Sequence, residues 1–230
     1  MNISFIENER AALVGDYLVI TDLHIGYESA LRERGYSVPK MINRFIKTLK
    51  KLKKKTGASN LLILGDVKHK VPKIDIEEKY DIPSFFKTLS KEFEKIVIVK
   101  GNHDGYLEKM IHVTNVEIVK EYSLNDIGFI HGHSYPSEEI MSKKILFIGH
   151  THPAFKVKDE LRITHKYPCW ILGKFNEKKI KKEYEKVNIE RVVVVPAFNP
   201  LFVGYTELVG PFAKAVTKKE VLLLDLTKVT

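Results

Sequence analysis

Cysteine occurs once in this sequence, at position 169, so no disulfide can form within the chain. That excludes a disulfide-built scaffold and fits a reducing compartment; a cytoplasmic location is the expectation. Long apolar runs are missing too. The longest, near Val192–Phe198, is interrupted by Pro196 and is far shorter than the ~20 residues of a membrane helix, so no membrane partner is expected. Glu7, Glu9 and Arg10 precede any sustained apolar stretch, unlike a secretory leader. No internal repeat, low-complexity tract or linker is visible, and one domain over residues 1–230 is expected. Acidic residues are the scarcer charge, 29 against 38 lysines and arginines, for a formal net charge of +9. A basic balance suits nucleic acid or another anionic partner. Much of it is lysine in runs, between Lys50 and Lys55 and between Lys178 and Lys182, which a solvated helix face accounts for equally well.

What the chain does have is alternation. Tyr17–Asp22, Leu61–Asp66 and Ile96–Asn102 each read as a buried strand ended by a polar residue. Pro39 opens an amphipathic helix through Phe45, Ile46, Leu49 and Leu52 that stops near Gly57. Ile82–Phe93 fits a second helix with Pro83 in its first turn. This order implies α/β layering with parallel strands. Later, Val116–Val119 and Gly128–His131 read as strands joined by a polar turn, and Ile145–Ile148 as another. Phe155–Val157 and Leu161–Thr164 suggest an antiparallel pair; Arg191–Val195 and Val221–Leu226 are the last strands. Lys174–Lys186 reads as a charged helix or a loop, with mobility expected.

The strand ends carry the chemistry. They read Asp22-Leu23-His24, Gly65-Asp66, Gly101-Asn102-His103-Asp104, His131-Gly132-His133 and Gly149-His150-Thr151-His152. Seven of the nine histidines lie in or beside them. In open α/β sheets, sites form outside the carboxyl ends of strands. In extended chain, residues i and i+2 point to one side, so Asp22 with His24, and His150 with His152, can each aim at one point. The glycines allow sharp turns and close backbone approach. Imidazoles, carboxylates and an amide oxygen form a mixed donor set that suits manganese, iron, cobalt, nickel or zinc better than calcium or magnesium. By spacing, His131 and His133 have equal claims as a ligand. His69 could line the site or lie on the surface; His112 and His165 match no motif. Cys169 beside Trp170 lacks the setting of a nucleophile.

In order and wording these five segments resemble the calcineurin-like metallophosphoesterases. Within that superfamily the chain is similar to archaeal proteins related to the repair nuclease SbcD and to phosphoesterases associated with bacterial DNA ligases. Asp22-Leu23-His24-Ile25-Gly26-Tyr27-Glu28 and Pro196-Ala197-Phe198-Asn199-Pro200 add to the likeness. The resemblance implies a four-layer α/β/β/α sandwich and two divalent metal ions, manganese favoured. Asp22, His24, Asp66 and His152 would hold one; Asp66, Asn102, His131 and His150 the other, with Asp66 shared and His131 preferred over His133. It further implies in-line attack on a phosphate ester by a hydroxide between the metals, with His103 as proton donor and Asp104 orienting His103. A phosphodiester is the favoured substrate, possible nucleic-acid substrates included. The alternatives are a phosphomonoester, a cyclic nucleotide, a non-catalytic scaffold on the same fold, or a lysine-based nucleic-acid-binding module.

Overall fold

Apolar runs flanked by polar turns become the strands of two stacked sheets. The computed structural model describes residues 1–180, 183–202, 204, 207–211 and 215–229, with 177 and 178 described by backbone alone. The first sheet contains β1 (Ile3–Phe5), β2 (Ala12–Val14), β3 (Tyr17–Ile20), β4 (Asn60–Ile63), β5 (Lys95–Val99) and β6 (Val116–Val119), in that spatial order. β1, β2 and β3 are antiparallel neighbours, and β3 through β6 run parallel. Crossovers carry α1 (Tyr27–Glu33), α2 (Ile42–Thr56) and α3 (Ile76–Leu89). The second sheet holds β7 (Tyr122–Leu124), β8 (Ile127–Ile130), β9 (Ile145–Ile148), β10 (Ala154–Lys158), β11 (Thr164–Phe175), β12 (Arg191–Val194), β13 (Val216–Leu223) and β14 (Lys228–Val229). Its main path is β14-β13-β11-β12-β9-β8-β7, with β10 pairing β11 alone. Two short helices, α4 (Glu138–Met141) and α5 (Glu177–Ile180), and a single 3-10 turn at Leu107–Lys109 complete the elements among the described residues.

The two-residue period of a strand builds the layers. In β4, Leu61 and Ile63 join Leu18, Ile20, Ile96 and Ile98 against Phe45 and Leu49 of α2 and Phe85 and Phe86 of α3. Leu62 turns the other way, with Val19 and Val97, onto Phe129, Phe147, Trp170 and Val193 of the second sheet. The far face of that sheet, with Ile130, Leu146, Ile148 and Val192, packs against Ile140, Met141 and Ile180. The result is the four-layer α/β/β/α sandwich. Its last helical layer is thin, because α4 and α5 have four residues each. Parallel strands buried on both faces read as continuous apolar runs, which is why β3, β4 and β5 stand out in the sequence.

Several elements differ from expectation. α3 begins at Ile76, not Ile82: Asp75 and Glu78 form a capping box, with Glu78 Oε2 accepting the Asp75 N–H at 2.9 Å. Pro83 thus lies inside the helix, and Lys79, whose carbonyl loses a partner there, is exposed to water. Val116–Val119 and Gly128–His131 are not hairpin neighbours. The first is the edge of the first sheet, and β7, pairing with β8, intervenes. Leu161–Ile163 belong to a turn rather than a strand, closed by the Ile163 N–H donating to Asp159 Oδ1 at 2.9 Å. The charged segment after Lys174 continues β11 to Phe175 and then forms α5; Lys181 and Lys182 lie outside the described residues.

Candidate metal centre

Both sheets bring the carboxyl ends of parallel strands to one place. Asp22 and His24 follow β3, Asp66 follows β4, and Asn102, His103 and Asp104 follow β5. From the second sheet, His131 follows β8, and His150 and His152 follow β9. Past the strands, the β3 and β4 loops stay paired: the Asp22 N–H donates to Gly65 O, His24 to Asp66 O and Ile25 to Val67 O, at 3.1, 2.8 and 2.8 Å. Asp22, His24, Asp66, His150 and His152 all have φ between 42° and 63°. Left-handed backbone at non-glycine residues is strained and collects at functional sites. Asp22 and His24 therefore converge through a left-handed turn, not through the extended chain that i, i+2 spacing suggests. His150 and His152 diverge into separate clusters.

The ligand-type atoms form two groups, Asp22/His24/His152 and Asp66/His131/His150, each within 4.8 Å of one another. His152 Nε2 lies 3.1 Å from Asp22 Oδ1. Asp66 connects the groups: its Oδ2 is 3.3 Å from His131 Nε2 and 3.7 Å from His24 Nε2. Asn102 Oδ1 sits 3.2 Å from His131 Nε2, and His150 Nδ1 is also 3.2 Å from it. The His131 Nδ1–H donates to Leu64 O at 2.7 Å, which turns Nε2 toward Asp66. His133 is exposed, 5.3 Å ring to ring from His131, and lines a cavity of about 750 Å³ with Asn102 and Tyr135. A third group, His24/His69/His103, adjoins the first. His112 is exposed, and His165 pairs with Asp159 at 2.8 Å on the surface.

Electrostatics hold most of these groups in ligand form. Burial alone would lift the carboxyls of Asp22 and Asp66; His152 and His131 beside Asp22, and His131 and His24 beside Asp66, keep both below the usual range. Burial pushes His24 down to about 3, and burial with His131 nearby pushes His150 down to about 4. His131 goes the other way: Asp66 and Asp22 outweigh its burial and raise it to about 9. Ionised carboxylates and neutral imidazoles are what a metal requires. The buried His24 Nε2 has no hydrogen-bond partner among the described residues, Asp66 Oδ2 standing 3.7 Å away. Buried polar atoms normally find partners, so its availability fits a bound cation.

The supporting contacts depart from expectation at Asp104. Its carboxylate accepts the N–H groups of Gly101, Val67 and Lys68, at 2.8, 2.8 and 3.3 Å, tying the β4 loop to the β5 loop. Burial and Asp66 push it up to about 6. The ring of His103 meets the His69 carbonyl instead, Nδ1 to O at 2.5 Å, so Asp104 positions the loops and not the imidazole. The His103 N–H donates to Asp66 Oδ1 at 2.9 Å. Glu78, fully buried, holds the His69 segment: Oε1 accepts the N–H groups of His69 and Lys70 at 2.8 and 2.6 Å. Glu78→Ala strands these donors and that of Asp75, and is expected to cost on the order of 3 kcal/mol in a urea unfolding titration, with Glu78→Gln recovering part of it.

Four residues not anticipated from sequence also build the site. Thr21 Oγ1 donates to Asp22 Oδ2 and Leu64 O, at 2.8 and 2.9 Å. Asn199 Nδ2 donates to Leu23 O at 2.9 Å, and Arg10 Nη1 donates to Ala197 O and Asn199 O, both at 3.0 Å. Phe202 stacks on His24 with ring centroids 4.3 Å apart and meets Tyr27 at 4.4 Å. Packing at the loop glycines is close. A Cβ on Gly101 would fall 2.2 Å from Asp66 Oδ1 and 2.4 Å from Asp66 N. Gly101→Ala is therefore expected to lower stability by about 1–3 kcal/mol and to weaken metal binding, read by thermal melts with and without manganese.

The model of the calcineurin-like phosphoesterases matches residues 16–195, well over half of the sequence, and the chain belongs to that family. Among solved structures, nuclease MPE of Pseudomonas putida superposes with a TM-score of 0.64 at 19% identity, covering 97% of this chain and 98% of that one. Yfce, a phosphoesterase from E. coli, gives a TM-score of 0.41 at 16% identity, covering 93% and 96%. The likeness to the first is one of fold. No curated protein matches the chain by sequence. Among the described residues, no helix is long and apolar enough to cross a membrane.

Proposed function

We propose that this protein is a metal-dependent phosphoesterase that hydrolyses phosphodiesters, nucleic acid among them. The observation that carries this reading is the pair of ligand clusters joined by one buried carboxylate, Asp66, in a chain of the calcineurin-like phosphoesterase family. Asp22, His24, Asp66 and His152 would hold one divalent cation, and Asp66, Asn102, His131 and His150 a second. Manganese is favoured, with iron, zinc, nickel and cobalt compatible with the same donors. Two such cations would supply Lewis acidity toward a phosphate ester and would acidify nearby water.

The chain's own residues do the rest. With its Nδ1–H donated to the His69 carbonyl, His103 keeps Nε2 for the substrate; in the doubly protonated imidazolium it is the Nε2–H proton that passes to the departing oxygen, leaving the neutral ring. Asp104 fixes the two loops that carry Asp66 and Asn102. Phe202 and Tyr27 wall the His24 side. The preference for a diester rests on the formal charge of +9 and on the fold shared with a protein named a nuclease. The resemblance of Asp22–Glu28 and Pro196–Pro200 to the SbcD-related branch supports a reading within that branch, and a single buried cysteine suits a cytoplasmic setting. The test compares bis(p-nitrophenyl) phosphate with p-nitrophenyl phosphate, with manganese and with EDTA. Faster, EDTA-sensitive turnover of the diester is expected; a monoester preference would replace this reading.

A further inference from the structure

The β10–β11 hairpin leaves the second sheet beside the candidate metal centre, β10 starting two residues after His152. From Cys169 onward β11 is held by β12 and β13. Its outer half pairs β10 alone, through five residue pairs from Ala154↔Pro168 to Lys158↔Thr164. The outcome is a ribbon about 15 Å long whose two edges pair with no further strand among the described residues. Strand alternation gives it two unlike faces. Lys156, Lys158 and Lys166 share one, with Lys156 directly opposite Lys166. Phe155, Val157, His165 and Tyr167 share the other, where Val157 and Tyr167 are 41% and 48% exposed. At the tip, Leu161 is 80% exposed.

This ribbon is poorly made for its own stability. Like charges directly opposite each other destabilise a strand pair, and two-stranded ribbons are marginal in water. Among the described residues the hairpin's ion pair is His165–Asp159; none joins the three lysines to a carboxylate. Open edges with exposed apolar residues invite aggregation. A polyanion removes the first defect by neutralising the lysine face, and bases stacked on the aromatic and apolar side chains remove the last.

We propose that residues 154–168 form a nucleic-acid-holding arm, its lysine face set on the phosphates of a strand whose neighbouring diester enters the metal centre. The proposal rests on the phosphodiesterase reading and names polynucleotides, rather than small diesters, as the substrate class. The lysine spacing suits a backbone of repeated phosphates, and a two-stranded ribbon also fits a major groove.

The experiment measures binding of fluorescent oligonucleotides, single-stranded and duplex, to manganese-loaded protein carrying His103→Asn to prevent cleavage, across a salt series. It compares the native arm, K156S/K158S/K166S and K156R/K158R/K166R. The serine variant is expected to bind at least ~10-fold more weakly at low salt. Its slope of log K against log salt should fall by about 2 on a single strand or about 3 on a duplex, which tells the two apart. The arginine variant should keep the slope, which separates charge loss from misfolding. Unchanged affinity and slope in the serine variant overturn the arm. So does absence of oligonucleotide binding by the native arm, which would direct the lysine face to an acidic polypeptide. Turnover of bis(p-nitrophenyl) phosphate by the unmutated protein, measured separately, tests the phosphodiesterase reading without touching the arm.

Discussion

Asp66→Asn is expected to lower turnover of a diester by at least ~1000-fold and to reduce the metal content of the purified protein. Asp66 Oδ2 lies 3.7 Å from His24 Nε2 of one ligand cluster and 3.3 Å from His131 Nε2 of the other, whereas Asp22 Oδ1, 3.1 Å from His152 Nε2, reaches the second cluster only at 4.0 Å from His131 Nδ1. Its other oxygen accepts the His103 N–H, so both lone-pair edges are committed. An amide keeps one oxygen and puts an NH₂ group on the other edge, where it either faces a cation or replaces the acceptor of the His103 N–H. The change is nearly isosteric, so folding should survive, and the metal-free melting temperature should stay close to that of the native protein. Manganese should raise that temperature in the native protein far more than in the variant. A variant with native turnover and native metal content would remove Asp66 from the centre.

His103→Asn is expected to behave differently. Metal content should be unchanged, because His103 belongs to neither of the two main clusters. The chemical step should slow by about 10²–10⁴-fold, the range for a lost general acid. The loss should depend on the leaving group. A p-nitrophenolate departs with little protonation, whereas a nucleotide alkoxide needs the proton, so the defect should be larger on a dinucleotide than on bis(p-nitrophenyl) phosphate. Equal losses on both would mean that His103 only binds the phosphoryl oxygens. The His69 carbonyl that orients His103 is itself fixed through Glu78, so Glu78→Ala should reproduce a fraction of the His103 defect at the kcat level.

The legible part of this fold is the part with local period. β3, β4 and β5 are apolar because both faces are covered, and α2 shows its stripe through Phe45, Leu49 and Leu52. Ligand-type residues are readable because they sit where those runs stop. β1 and β2 leave no signal in the sequence, as three-residue strands have no period to detect. The start of α3 was readable in Asp75 and Glu78, but Pro83 competed as a first-turn signal and the capping box won. The partner of Asp104 could not be read from adjacency to His103, because the carboxylate serves backbone N–H groups 36 and 37 residues away. Arg10, with hydrogen bonds spanning 187 and 189 positions, has no local signal at all. Asn199 lies in a segment marked by resemblance, though its bond to Leu23 needed the structure.

If Asp66 joins two cation sites into one centre, electron paramagnetic resonance of the manganese-loaded protein will reveal the pair. Two ions about 3.5–4 Å apart are exchange-coupled, so a coupled-pair spectrum that Asp66→Asn abolishes is expected. An isolated-ion spectrum at saturating manganese, unchanged by Asp66→Asn, would contradict a joined centre.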